Sequence, residues 1–101
     1  MAEKLKIIDV IGTKAADDDS KGNVAFNKIS ELSQSNKEIL VDFEGVELVN
    51  TAFLNNAIGK LFNPREFDLV KCQIRIINLS DDMMTLLKES VKVAKLKYAK
   101  L

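Results

Sequence analysis

A chain of 101 residues, 47% hydrophobic and 30% charged, has an ordinary globular composition and enough length for one core but not two, which predicts a single domain over residues 1–101. Fifteen basic and fifteen acidic residues cancel, so the overall charge favours neither nucleic acid nor an acidic membrane. The apolar runs are far shorter than the roughly 20 residues that span a bilayer, and Met1-Ala2-Glu3-Lys4 has no signal-peptide hydrophobic region, which together predict a cytoplasmic protein.

Leu5, Ile7, Ile8, Val10 and Ile11 around Lys6 and Asp9 read as a first strand, ended by Gly12. Residues 13–23 are small and polar and read as a mobile loop. Its triplet Asp17-Asp18-Asp19 offers carboxylates to a hard cation, but the alternating ligand spacing and turn glycine of a calcium loop are missing. Capping aspartates are the plainer reading, and no metal is expected. Val24, Phe26, Ile29 and Leu32 then mark an amphipathic helix over residues 23–33, and Gln34-Ser35-Asn36-Lys37 ends it.

The central strand covers residues 38–43, with Ile39, Leu40, Val41 and Phe43 as strand formers. It turns at Glu44-Gly45 and re-enters an apolar pattern through Val46, Leu48 and Val49. A second helix starts near Asn50-Thr51, residue types whose side-chain oxygen accepts from a first-turn amide. Phe53, Leu54, Ala57, Ile58, Leu61 and Phe62 give it a packed face at i, i+3, i+4, i+7 and i+8 spacing. Pro64 stops that pattern, and Phe67 and Leu69 of the following connector tuck back onto the core.

Cys72, Ile74, Ile76 and Ile77 make a third strand. The lone cysteine excludes an internal disulfide and reads as a small buried hydrophobe rather than a nucleophile, since the chain has no histidine to activate it. Ser80 with Asp81 caps a last helix over residues 81–99. Strand and helix thus alternate as βαβαβα, which predicts an α/β domain with a small, largely parallel sheet covered by helices. The second helix begins at the carboxyl end of the central strand, the edge where ligands and partners meet such sheets.

The run Val41-Asp42-Phe43-Glu44-Gly45-Val46, a hydroxyl residue at a helix start, Phe53-Leu54, Asn55-Asn56-Ala57-Ile58-Gly59 and the closing helix around Leu86-Leu87-Lys88 resemble the STAS-like domains of unknown function. Those are distant relatives of the STAS domains of anti-sigma factor antagonists. The likeness is best over residues 37–98 and covers residues 1–36 in layout only. In the antagonists this turn carries Asp-Ser-Ser-Gly-Leu, and a partner kinase of the histidine-kinase-like ATPase class phosphorylates the first Ser. That motif falls on Asn50-Thr51-Ala52-Phe53-Leu54, with the hydroxyl kept as Thr51, the Asp replaced by Asn50 and the Gly by Phe53. One strand precedes the first helix where the antagonists have a hairpin.

The resemblance implies a non-enzymatic regulatory module whose partner is a histidine-kinase-like ATPase or a sigma-regulatory factor. It makes Thr51 the candidate phosphoacceptor and Glu44, Gly45, Glu47, Asn50, Thr51, Phe53 and Asn55 the candidate partner surface. Read from the residues alone, Thr51 is a helix cap contributing roughly 1 kcal/mol. A phosphate there would meet free amides and the positive end of the helix dipole. Asp42, Glu44 and Glu47 are carboxylates near the same edge, but no phosphate loop, paired nucleophile and base, or dinucleotide fingerprint accompanies them. No enzyme activity and no cofactor are expected.

The alternative is an assembly module. Met84, Leu87, Val91, Ala94, Tyr98 and Leu101 follow coiled-coil spacing, which predicts weak self-association where Tyr98 and Leu101 overshoot the sheet. Lys88, Lys92, Lys95, Lys97 and Lys100 form a basic cluster at that helix end. Solvent is its expected neighbour, with an anionic partner such as nucleic acid as the lesser reading.

Overall fold

The computed structural model describes residues 2–99. Strand β1 (Ala2–Lys6) leads directly into a single helical turn, α1 (Ile7–Ile11). After β2 (Ala15–Ala16) come α2 (Asp19–Ser33) and the central strand β3 (Glu38–Asp42). Strand β4 (Leu48–Val49) precedes α3 (Thr51–Ala57), a 3₁₀ turn (Gly59–Phe62), β5 (Gln73–Ile77) and α4 (Asp81–Tyr98). The main sheet has the order β1-β3-β5 and is parallel throughout, as the alternation of strands and helices requires.

Register explains where the core sits. Leu5 pairs with Val41, Val41 with Ile76, and Ile39 with Ile74, so these residues share one face, and Leu5, Ile39 and Val41 are buried. Phe26, Ile29, Phe53, Leu54, Ala57 and Leu61 supply the buried helical layer of the same core. The cover is one-sided: on the opposite face Lys4, Lys6, Glu38, Leu40, Gln73, Arg75 and Ile77 all retain exposure. Parallel sheets are ordinarily covered on both faces, and here charged side chains occupy most of the open one.

Several boundaries differ from the sequence reading. The first strand ends at Lys6, and Ile7–Ile11 is helical. Ile7, Ile8 and Ile11 are also spaced for a helical face, and Gly12, left-handed at φ 75°, closes the turn by donating its amide to the Ile8 carbonyl. The expected loop over residues 13–23 is largely ordered, because it contains β2 and the first turn of α2. That helix starts four residues earlier than expected, with Asp18 as N-cap: its Oδ1 accepts from the Lys21 amide at 2.7 Å. Glycine at position 22 is tolerated inside the helix because α3 passes directly over it. A Cβ there would lie 2.7 Å from the Phe53 carbonyl oxygen and 2.8 Å from Asn56 Cβ.

Other expectations are met. Asn63 leaves helical geometry ahead of Pro64, Phe67 is buried, Leu69 is packed against the core, and Ser80 Oγ accepts from the Met83 amide at 3.2 Å. Cys72 is buried, and burial pushes its thiol pKa up.

Candidate functional site

The carboxyl edge of the sheet is built around Asp42, the last residue of β3. Its side chain is fully buried, and Oδ1 accepts from the Glu44 amide and from Asn78 Nδ2, both at 2.8 Å. Lys4 Nζ lies 3.3 Å from Oδ2, an ion pair without the alignment of a hydrogen bond. Burial by itself would raise the Asp42 pKa. The hydrogen bonds from Asn78 and the Glu44 amide, with the Lys4 charge, outweigh it and hold the group below its ordinary value. The carboxylate is therefore ionised, hydrogen-bonded through Oδ1 and ion-paired through Oδ2, a bracket joining β1, β3 and the end of β5. Asn78 reaches it from a left-handed backbone at φ 63°, a conformation that Asn tolerates better than most residues.

From Asp42 the chain makes a tight turn, with the Val46 amide donating to the Phe43 carbonyl and Gly45 at φ 82°. A left-handed third residue is what a type II turn requires, and Gly accepts it at little cost. Ile8 of α1 lies against this glycine, where an added Cβ would come within 2.7 Å of its Cδ1. The segment is then clipped to the 14–16 stretch, because the Glu47 amide donates to the Lys14 carbonyl, the Asn50 amide donates to the Ala16 carbonyl, and β4 pairs with β2. Glu44 and Glu47 are exposed. They sit 3.7 Å from Lys6 Nζ and 3.9 Å from Lys14 Nζ, surface pairs that contribute little to stability.

Asn50, not Thr51, caps α3. Asn50 Oδ1 accepts from the Phe53 amide at 2.9 Å, while Thr51 is the first helical residue and exposed. The expectation that Thr51 serves as the cap is therefore corrected: its hydroxyl is not engaged in capping. Asn50 Nδ2 in turn donates to the Asp17 carbonyl at 2.8 Å, fastening the start of α3 to the entry of α2. Beside that contact Lys21 Nζ lies 2.8 Å from Asp17 Oδ1, a hydrogen bond that lowers the Asp17 pKa and raises that of Lys21. Within the triplet Asp17 thus pairs, Asp18 caps and Asp19 lies in the first turn of α2, and no group of three or more potential metal ligands occurs among the described residues.

Phe53 is a second correction. Expected on the partner surface, it is fully buried and stacks edge-on against Phe43, with ring centroids 6.3 Å apart. It begins the packed stripe of α3, so it faces inward. Asn55 is exposed, one helical turn beyond Thr51, and borders a small cleft with Gly59, Lys97 and Tyr98. Glu44, Gly45, Glu47, Thr51 and Asn55 are therefore all exposed along this segment, while Asn50 is half-buried. The segment also exposes Leu48, at 52% of its full surface, although its place in an apolar pattern predicts burial. Alternation within β4 explains it, since Val49 points inward.

At the other end of the chain, Tyr98 is half-buried, and Leu101 lies outside the described residues. The exposed apolar side chains of α4 are Val93 and Leu96. No helix among the described residues is long and apolar enough to cross a membrane.

A three-stranded parallel α/β sheet whose central strand feeds through a turn into a capped helix is the layout expected of a STAS-like domain. The chain belongs to the family described as STAS-like domain of unknown function (DUF4325), whose profile matches residues 22–84. The match takes in most of α2, which the sequence likeness covered only in layout, and ends within α4. No curated protein and no solved structure matches the chain.

Proposed function

We propose that this chain is a non-enzymatic regulatory module that docks on another protein through the edge running from Glu44 to Asn55, with Thr51 as a phosphorylation switch. The observation that carries the reading is the exposure of Leu48 beside Glu47 and Thr51 on a segment held by main-chain hydrogen bonds. An apolar side chain on an edge held by main-chain hydrogen bonds offers a partner surface to bury with little loss of backbone entropy. Because Asn50 does the capping, Thr51 is free to accept a phosphate without loss of the cap, and the helix dipole favours the added charge. A histidine-kinase-like ATPase or a sigma-regulatory factor is the partner class that the STAS likeness suggests.

A photo-crosslinking amino acid in place of Leu48, in the native cells, tests this. The expected result is a protein adduct that disappears when Glu44→Lys and Glu47→Lys reverse the flanking charges and changes with Thr51→Asp. Absence of any protein adduct from position 48 overturns the docking reading. An adduct indifferent to Thr51→Asp, with no phosphate on Thr51 after incubation with the cognate ATPase, removes the switch and leaves a plain docking surface.

A further inference from the structure

The covered face of the sheet runs out at β5. Ile39 and Val41 are fully buried, yet their partners in register, Ile74 and Ile76, are only half-buried. Beside them lies a concave apolar cleft of about 280 Å³ between β5, the 3₁₀ turn and α4, where Ile58, Phe62 and Leu69 meet Leu87 and Val91. Through Leu87 and Val91 the cleft continues onto an outer face of α4 that carries Lys88, Lys92, Lys95 and Leu96, the last exposed over 70% of its surface. We propose that this groove docks an acidic amphipathic helix of a partner protein, on a different face from the Glu44–Asn55 edge.

Charge selects the occupant. Over residues 83–98 there are four lysines and one glutamate, 4 − 1 = +3, in a chain whose net charge is zero. Lys88, Lys92 and Lys95 have no carboxylate partner among the described residues, and neither do Lys37, Lys60, Arg65, Lys71 and Lys97; what sets the three apart is that they line one apolar groove together. Lys95 instead lies over the Phe62 ring, 5.7 Å from its centroid, at the mouth of the cleft. The helix dipole accounts for cations near this terminus, but it does not account for an exposed leucine and an apolar cleft among them.

Other occupants fit less well. A two-fold pairing of this face would set the lysines of one copy against those of the other. Nucleic acid would meet phosphate-binding lysines but bury Leu96 and the cleft against nothing apolar. A membrane surface would reach Leu96 but not the recessed Ile74 and Phe62. The cleft of about 280 Å³ opens onto a wider hollow of about 480 Å³ along α4, an elongated apolar trough whose shape suits a row of side chains from one helix. A helix laid along α4 can place apolar residues three and four positions apart in the cleft and its flanking carboxylates on the lysines.

The probe is a display library of random peptides of about 16 residues, selected on the immobilised chain. Enriched sequences are expected to carry apolar residues at helical spacing with Asp and Glu between them. The best of these, synthesised with a fluorophore, is expected to bind saturably and to lose about tenfold or more in affinity to Leu96→Asp and to Lys88→Glu/Lys92→Glu, changes confined to exposed side chains. Its charge-reversed counterpart is expected to recover affinity for the lysine variant. Enrichment without an acidic excess, or affinity that survives both variants, overturns the proposal. So does Leu96-dependent pelleting with phosphatidylglycerol vesicles, or a Leu96-dependent dimer.

Discussion

Asn50 donates its side-chain amide to the main-chain carbonyl of Asp17, 33 residues earlier in the chain, at 2.8 Å. The same side chain accepts from the Phe53 amide, so one residue both starts α3 and ties it to the segment that starts α2. The candidate docking edge is held by this pair together with the β2–β4 clip.

Stability should therefore depend on Asn50 and not on Thr51. Asn50→Ala removes a cap and a partly buried hydrogen bond and is expected to cost about 1–2 kcal/mol. Asn50→Asp keeps the cap oxygen but faces the Asp17 carbonyl with a carboxylate in place of a donor, so it should fall between Asn50→Ala and the parent. Thr51→Ala, at an exposed first-turn position, should stay within about 0.5 kcal/mol. Urea unfolding of the three variants measures this order, and a loss at Thr51 equal to that at Asn50 would contradict it.

Gly22→Ala reverses a general rule. In a free helix Ala is favoured over Gly by about 1 kcal/mol. Here the new methyl would lie 2.7 Å from the Phe53 carbonyl oxygen and 2.8 Å from Asn56 Cβ, so α2 and α3 must separate. The expected result is a loss of about 1–3 kcal/mol in urea unfolding, the usual cost of overpacking. A gain in stability would show that the two helices can move apart freely.

The fold class is legible in the sequence because strand and helix runs alternate with their punctuation in place: Ser80 at a cap, Pro64 after a helix, and Phe67 and Leu69 returning an irregular connector to the core. It was ambiguous at Ile7–Ile11, where five residues fit both the alternating and the helical pattern and only the Gly12 closure decides. The two-residue strands β2 and β4 depend on a tertiary pairing that no local pattern encodes. Within the candidate site, the turn and the start of α3 were legible. The assignment of the cap to Thr51 failed because adjacent Asn and Thr both suit capping, and the inward turn of Phe53 followed from a stripe already visible in the sequence. Lys4 and Asn78 could not be placed beside Asp42 from spacing, since they lie 38 and 36 positions away.

Cys72 should be inert in the native state. Burial raises its thiol pKa, and a neutral, enclosed sulfur reacts with disulfide reagents only when the chain opens. Labelling at neutral pH is expected to be at least about a hundredfold slower than in denaturant. Rapid native labelling would show that the β5 edge opens locally without global unfolding.

Stability in acid should depend on Asp42. Its pKa is lower folded than unfolded, because Asn78, the Glu44 amide and Lys4 act only in the native state. As pH falls through the unfolded value, about 3.9, the unfolded chain takes up a proton that the folded chain still refuses. Stability supplied by the bracket is thus fully present above that pH and is lost as pH drops toward the folded pKa. Lys4→Met removes one of the interactions that depress the pKa, at an exposed side chain, so it should shrink this acid loss while leaving the rest of the pH profile in place. Asn78→Gly relieves the left-handed backbone but deletes a hydrogen bond to the buried carboxylate. It should destabilise near neutral pH by about 1–3 kcal/mol and also weaken the acid dependence. Urea unfolding between pH 2.5 and 7 for the parent and both variants supplies the comparison. Parallel curves for all three would mean that Asp42 is not the group whose protonation governs acid unfolding.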